Sequence, residues 1–340
     1  MQSLKNKIGI IFFLHAQFLL AQQTTTFKGF TDLNYSVTNK KNSFALGEYD
    51  QFVQSQLTDH ISFLGEAIFV VEEKDFELYV MRAIATYEVS NYFKVAIGRH
   101  HTPIGYWNTA YHHGVVIQPT INRSDPFIFD HMGGMMPTHT VGFLISGDYI
   151  TKLNFGYDFM IGNGIGSTPV EDNNPQKSVT VNLHFEPVKN LKVIISGYHD
   201  FISAGTQRTH MDIGGVTPKD MTMQILNGSL MFMNPSQPFE MIAEYLNYTN
   251  KMDSVGTKTS NAFSIYSGYK IKKFTPYVRY DQITFQKGEA YFNKDDSQKF
   301  VVGIRYSFSY LAVLKLEYEK SKLEIEGNTD RVAFQFALGF

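Results

Sequence analysis

Residues 331–340 alternate without a break: Val332, Phe334, Phe336, Leu338 and Phe340 are apolar, and Arg331, Ala333, Gln335, Ala337 and Gly339 between them are small or polar. Successive side chains of a strand point to opposite faces, so a strict period of two describes a strand with one greasy face. The period recurs along the chain and predicts sixteen strands, at 25–37, 47–58, 61–73, 76–89, 93–101, 139–148, 150–162, 176–186, 191–203, 221–233, 239–251, 259–271, 274–285, 297–308, 311–323 and 331–340. No stretch keeps a helical period. The fold is therefore all-β, and the open question is where so many one-faced strands hide their apolar side.

The connections answer it. Tight links fall at 58–60, 89–92, 147–149, 186–190, 234–238, 272–273 and 309–310, and between them lie longer segments at 38–46, 102–138, 163–175, 204–220, 252–258, 286–296 and 324–330, with 73–75 the exception. Short turns at one end and long loops at the other are the topology of a transmembrane antiparallel β-barrel, with both termini on the short, periplasmic side. Phe300, Val302, Ile304, Tyr306 and Phe308 would face lipid opposite Val301, Gly303, Arg305 and Ser307, as Leu153, Phe155, Tyr157, Phe159 and Ile161 would opposite Lys152, Asn154, Gly156 and Asp158. A midplane cation on the lipid face costs about 2–4 kcal/mol, so charges belong inside. The expected lumen lining is Glu66, Arg82, Lys94, Lys152, Asp158, Arg279, Asp281, Arg305, Lys315 and Glu317. The segments near 78–88 and 241–248 alternate poorly. A soluble sandwich or solenoid would also alternate, but would not need this many strands with charge on one common face.

At the other end, Lys5 and Lys7 precede an apolar run from Ile8 to Leu20, then Ala21 and two glutamines. This is the layout of a secretory signal peptide, expected to span residues 1–21, with the barrel over 22–340. Without Lys5 and Lys7 the 30 basic residues fall to 28 against 32 acidic ones, which excludes the basic footprint of a nucleic-acid binder. There is no Cys, so no disulfide holds the chain together. The terminal aromatic strand, with Phe336 and Phe340, resembles the closing strand of bacterial outer-membrane barrels. That resemblance implies the outer membrane as location, lipid and the barrel-assembly machinery as partners, and Phe336 and Phe340 as the assembly signal.

The segment 102–138 is the third outer loop and much the longest. In general porins the third loop folds inward and narrows the pore, and Gly98, Pro103 and Gly105 resemble the corresponding segment of the phosphate-selective porin (porin O/P) family. The resemblance implies a passive channel for small hydrophilic solutes or ions, constricted by Arg99, His100, His101, His112, His113, Arg123, Asp125, Asp130 and His131. A homo-oligomer is left open. Phosphate selectivity is not implied, because residues 102–138 hold no Lys and one Arg, Arg123, against Asp125 and Asp130. Trp107, beside Tyr106 and Tyr111, reads as loop packing.

Six of the 11 His lie between 100 and 139. Imidazoles are common metal ligands, yet neighbouring His on extended backbone face apart, so at most one of each pair could share an ion, and no HExxH spacing occurs. The expectation is no metal, no cofactor and no catalytic residue. His199-Asp200, Asp130-His131 and Asp59-His60 fail as dyads for the same geometric reason, and no Gly-x-Ser-x-Gly elbow is present. A barrel enzyme, a metal-binding protein and an adhesive barrel are the alternatives. An 8-strand barrel filled by side chains would favour adhesion, whereas 16 strands leave room for a channel.

Overall fold

A computed structural model describes residues 24–39, 41–71, 76–112, 114–130, 134–207, 216–234, 236–253, 255–292, 294–323 and 327–340. The expected signal peptide, His113 and His131 lie outside the described residues. Sixteen strands follow one another: β1 (Thr25–Thr38), β2 (Asn42–Gln56), β3 (Ile61–Val71), β4 (Phe76–Ser90), β5 (Phe93–His101), β6 (His139–Gly147), β7 (Gly156–Gly162) and β8 (Ser178–Val188), then β9 (Leu191–Ile202), β10 (Met221–Met233), β11 (Phe239–Met252), β12 (Gly256–Tyr269), β13 (Phe274–Phe285), β14 (Ser297–Ser309), β15 (Ala312–Leu323) and β16 (Gly327–Gly339). Each pairs antiparallel with its neighbours, and β1 pairs with β16 to close the barrel. Closure removes every sheet edge, the condition for placing β-structure in hydrocarbon.

The seam shows how the terminal pattern is used. Phe336 pairs with Leu33 and Phe334 with Tyr35, while Val332, Phe334 and Phe340 stay exposed on the outward face and Ala333, Gln335 and Ala337 are buried inside. The outward belt continues around the barrel through Leu226, Tyr245, Val278, Phe300, Val302 and Ile304, all exposed, which is a surface made for lipid.

Four expectations need correction. Segments 38–46, 252–258 and 324–330 were expected as loops, but the ladders run on to Val37↔Asn42, Met252↔Gly256 and Leu323↔Gly327. Continued pairing satisfies backbone groups that a loop would leave to water, and Gly256 and Gly327, at φ 83° and 82°, supply the left-handed residue that tight hairpins require. Lys152 is not in the lumen: β7 begins only at Gly156, and Lys152 is exposed in a turn bounded by Tyr149 and Asn154, both at positive φ. The turn closes through Ile150 N–H donating to the Phe155 carbonyl at 2.9 Å. The poor alternation near 78–88 has a cause as well, since the β3–β4 register shifts between Glu66 and Ala67 and re-aims the residues beyond it.

The orientation predicts that an epitope tag at Thr168 or Lys287 will be reached by antibody on intact cells, whereas one at Lys189 or Ser236 will be silent until the membrane is opened. Labelling with the opposite pattern would invert the barrel.

Candidate functional site

The third loop, 102–138, leaves β5, crosses the lumen and returns to β6. It begins with a backbone that few residues could follow. Gly98 has φ 142°, and a Cβ there would lie 1.9 Å from the Ala83 carbonyl; Gly105 has φ 71° and precedes a single-turn helix, α1 (Tyr106–Ala110). That turn aims the N–H groups of Tyr106 and Trp107 at the two carboxylate oxygens of Glu244 on β11, each at 2.7 Å. Asn227 and Ser229 of β10 donate to the same carboxylate, so its charge is met by four donors.

The loop buries a core inside the barrel. Ile104, Trp107, Phe127, Met135 and Met136 are buried with Ile202, Met223, Ile225, Ile242, Leu246 and Tyr266 from the inward faces of β9–β12. This explains the poor alternation near 241–248: Ile242, Leu246 and Tyr248 point into the lumen and are nevertheless apolar, because they face Trp107 and its neighbours rather than water.

The far half of the loop is held by polar groups. Glu317 accepts from Ile121 N–H and from the Tyr277 hydroxyl, at 2.7 and 2.6 Å. Arg279 donates to Thr120 Oγ1 and to the Asn122 carbonyl at 2.6 and 2.7 Å, and Lys315 donates to the carbonyls of Val115 and Thr120 at 2.6 and 3.1 Å. Asp281 accepts from Ser124 Oγ, Glu319 from Asn122 Nδ2, and Lys299 pairs with Asp125. Burial raises the Asp125 carboxyl above its usual range, opposed by the Lys299 ammonium. The loop thus reaches from β5 to β15, and Val116 packs near Val313 and Ala337 with Phe30 of β1 beside them.

The sequence-derived residues divide on this frame. Arg279, Asp281, Lys315 and Glu317 are on the lumen wall but at most 1 % exposed, sealed behind the loop instead of lining open water. Glu66 pairs with Arg82, and Arg305 with Glu240; Lys94 is partly exposed toward the short-turn end. Asp158 is half-buried on β7. Of the proposed constriction, Arg123 does not face a passage. Its guanidinium donates to the carbonyls of Tyr111, His112, Trp107 and Phe127 and to Asn108 Oδ1, and lies over the Phe129 ring at 4.1 Å, so it is the internal brace of the loop. Burial pulls it down to about 9, which leaves it charged at neutral pH. His100 and His112 are also buried. Arg99 and Asp130 line a cavity of about 170 Å³ with Thr138, His139, Thr140 and Tyr198, between the loop root and residues 164–169.

His101, His112 and His139 come together, one from each expected pair and one from β6, with a ligand nitrogen of each within 4.8 Å of the others. His199 and Asp200 do not form a dyad, since His199 is exposed and Asp200 buried on the opposite face, bonded to the Tyr198 hydroxyl and Ile165 N–H; His60 caps the Glu88 carbonyl, and His131 of the Asp130 pair lies outside the described residues. Sequence reading missed Glu244, Glu319, Lys299 and Tyr277. A charge amid apolar inward neighbours, as Glu244 is between Ile242 and Leu246, was the available signal.

No protein-family model matches the sequence, and no curated protein matches it. Solved structures do. OmpT, an outer membrane protein of Vibrio cholerae, matches at TM-score 0.66 with 14% identity, covering 96% of this chain and 100% of that one. An anion-selective porin from Comamonas acidovorans matches at TM-score 0.67 with 10% identity over 94% and 100% of the two chains. The outer membrane channel DcaP of Acinetobacter baumannii matches at 0.64 with 12% identity over 94% and 97%. The fold is that of porin-like barrels of the Gram-negative outer membrane, and the apolar outward belt suits that membrane.

Proposed function

We propose that the chain is a non-enzymatic outer-membrane channel passing small hydrophilic solutes or ions passively, with the third loop as a tight internal constriction. The observation that carries this reading is the loop's attachment to the opposite wall through Glu317, Arg279 and Lys315, across a barrel of sixteen strands. A barrel of this size leaves an aqueous lumen unless something fills it, and here the filling is a loop held by hydrogen bonds. Charged groups remain partly accessible on the β4–β7 side, at Arg82 and Lys94. Selectivity then follows from the radius left beside the loop and from the sign of those charges.

The Gly98, Pro103 and Gly105 segment is consistent with a porin O/P-like ancestry, since it sets the turn that carries the loop inward. Assembly through the terminal strand, by the barrel-assembly machinery, and association into an oligomer complete the proposal; one related structure is a trimer form of the Vibrio OmpT.

Planar-bilayer recording of the purified protein tests the channel. Small, discrete conductance steps with a defined reversal potential in a salt gradient are expected. A barrel that inserts and folds but never conducts, and admits no small sugar into liposomes, would defeat the proposal.

A further inference from the structure

We propose that the root of the third loop binds one transition-metal ion of the imidazole-preferring class, Zn²⁺ foremost, through His101, His112 and His139. The three come from separate places: the end of β5, the chain just after α1, and the first residue of β6. His101 and His139 are direct cross-strand partners, and α1 delivers His112 to them. Their candidate ligand atoms lie within 4.8 Å of one another. Two nitrogens sharing a zinc ion at about 2.1 Å stand roughly 3.4 Å apart, so the three rings need to draw together and re-aim to share it.

The hydrogen bonds around the rings prepare them as ligands. Asn108 donates its Nδ2 to the Thr102 carbonyl and receives Arg123 Nη2 on Oδ1, which fixes the amide orientation. Oδ1 therefore faces His112 Nδ1, at 3.2 Å, as an acceptor. The ring hydrogen belongs on Nδ1, and the lone pair of His112 sits on Nε2. His101 Nε2 lies 3.5 Å from the Glu66 carboxylate, the arrangement in which a carboxylate orients a metal-ligating imidazole and leaves its other nitrogen for the ion. Behind Glu66, Asp50 is fully buried on β2 beside that carboxyl. Glu66 is itself held by Arg82, which fixes the carboxylate that faces His101. The cavity beside Arg99 and Asp130 gives His139 an approach route.

One feature of the present geometry must change on binding. The His101 and His112 rings are stacked, with centroids 3.4 Å apart and planes at 13°. A metal lies in the plane of each imidazole it binds, so one ring turns as the ion enters. Binding would staple the loop to the β5–β6 pair, and it does not depend on whether the barrel conducts.

The test uses the untagged full chain, refolded in detergent, with Zn²⁺ followed by calorimetry and Co²⁺ by visible absorption. Expected are one Zn²⁺ per chain and the intense bands of four-coordinate Co²⁺. His112→Asn and His139→Asn should each weaken Zn²⁺ binding at least about tenfold, while His199→Asn, on the outward face, leaves it unchanged. Absence of stoichiometric binding, a weak six-coordinate Co²⁺ spectrum, or affinity that survives both substitutions would overturn the site. If both variants fail to assemble, the wild-type Co²⁺ spectrum decides.

Discussion

Lys315→Ala is expected to convert a narrow channel into a wider, flickering one. Lys315 is fully buried, and its ammonium donates to the Val115 and Thr120 carbonyls of the loop and to Gln335. Truncation removes the lysine donor from both carbonyls, leaving Gln118 Nε2 on Thr120, and an unsatisfied buried carbonyl costs about 1–3 kcal/mol. Every 1.4 kcal/mol shifts an open–closed equilibrium about tenfold, so release of the far half of the loop should become frequent enough to see. Single-channel recording would show larger and noisier steps, with Lys270→Ala as the exposed control. The near half, on Glu244 and the Trp107 core, should stay in place, because none of its contacts involve Lys315. A folded variant with unchanged steps would mean that Lys315 does not hold the loop.

Gly29→Val should cost the barrel its closure. Gly29 exchanges both backbone bonds with Phe340, N–H to carbonyl at 2.8 and 3.0 Å, and the Phe340 ring covers it. A Cβ at Gly29 would meet that ring at 2.6 Å and the Asp50 carbonyl at 2.7 Å. The ring can turn away, but the carbonyl belongs to the β1–β2 ladder and cannot. Overpacking of this kind costs about 1–3 kcal/mol, applied at the one pairing that joins first strand to last. Refolded protein should lose most of its compact, heat-modifiable band on electrophoresis. Gly228→Val, on β10 with open space around it, is the matched control and should fold normally. Equal folding of the two variants would show that the seam tolerates the bulk, and that Phe340 contributes little to closure.

The alternation that recurs along the chain, cleanest at 297–308 and 331–340, was enough to give class and strand number, and facing wherever it was regular, because a membrane barrel imposes one physical rule at every strand: apolar toward lipid, anything else inside. The N-terminal half of β7 was misread, since Leu153 and Phe155 alternate like a strand while Tyr149 and Asn154 turn the chain at positive φ. The lumen was legible only as a place for charge. Whether Arg279 or Lys315 meets water or a loop carbonyl depends on where residues 115–122 come to rest, some two hundred positions away in sequence, and no local period encodes that. The same holds for the histidines. Alternation says only that His100 and His101 face apart; bringing His101, His112 and His139 together required the cross-strand register of β5 with β6 and the inward fold of α1. The sequence by itself determined the wall of this protein, because lipid selects residues one by one; what fills the wall was decided by tertiary structure, because a buried hydrogen bond needs both its partners in place.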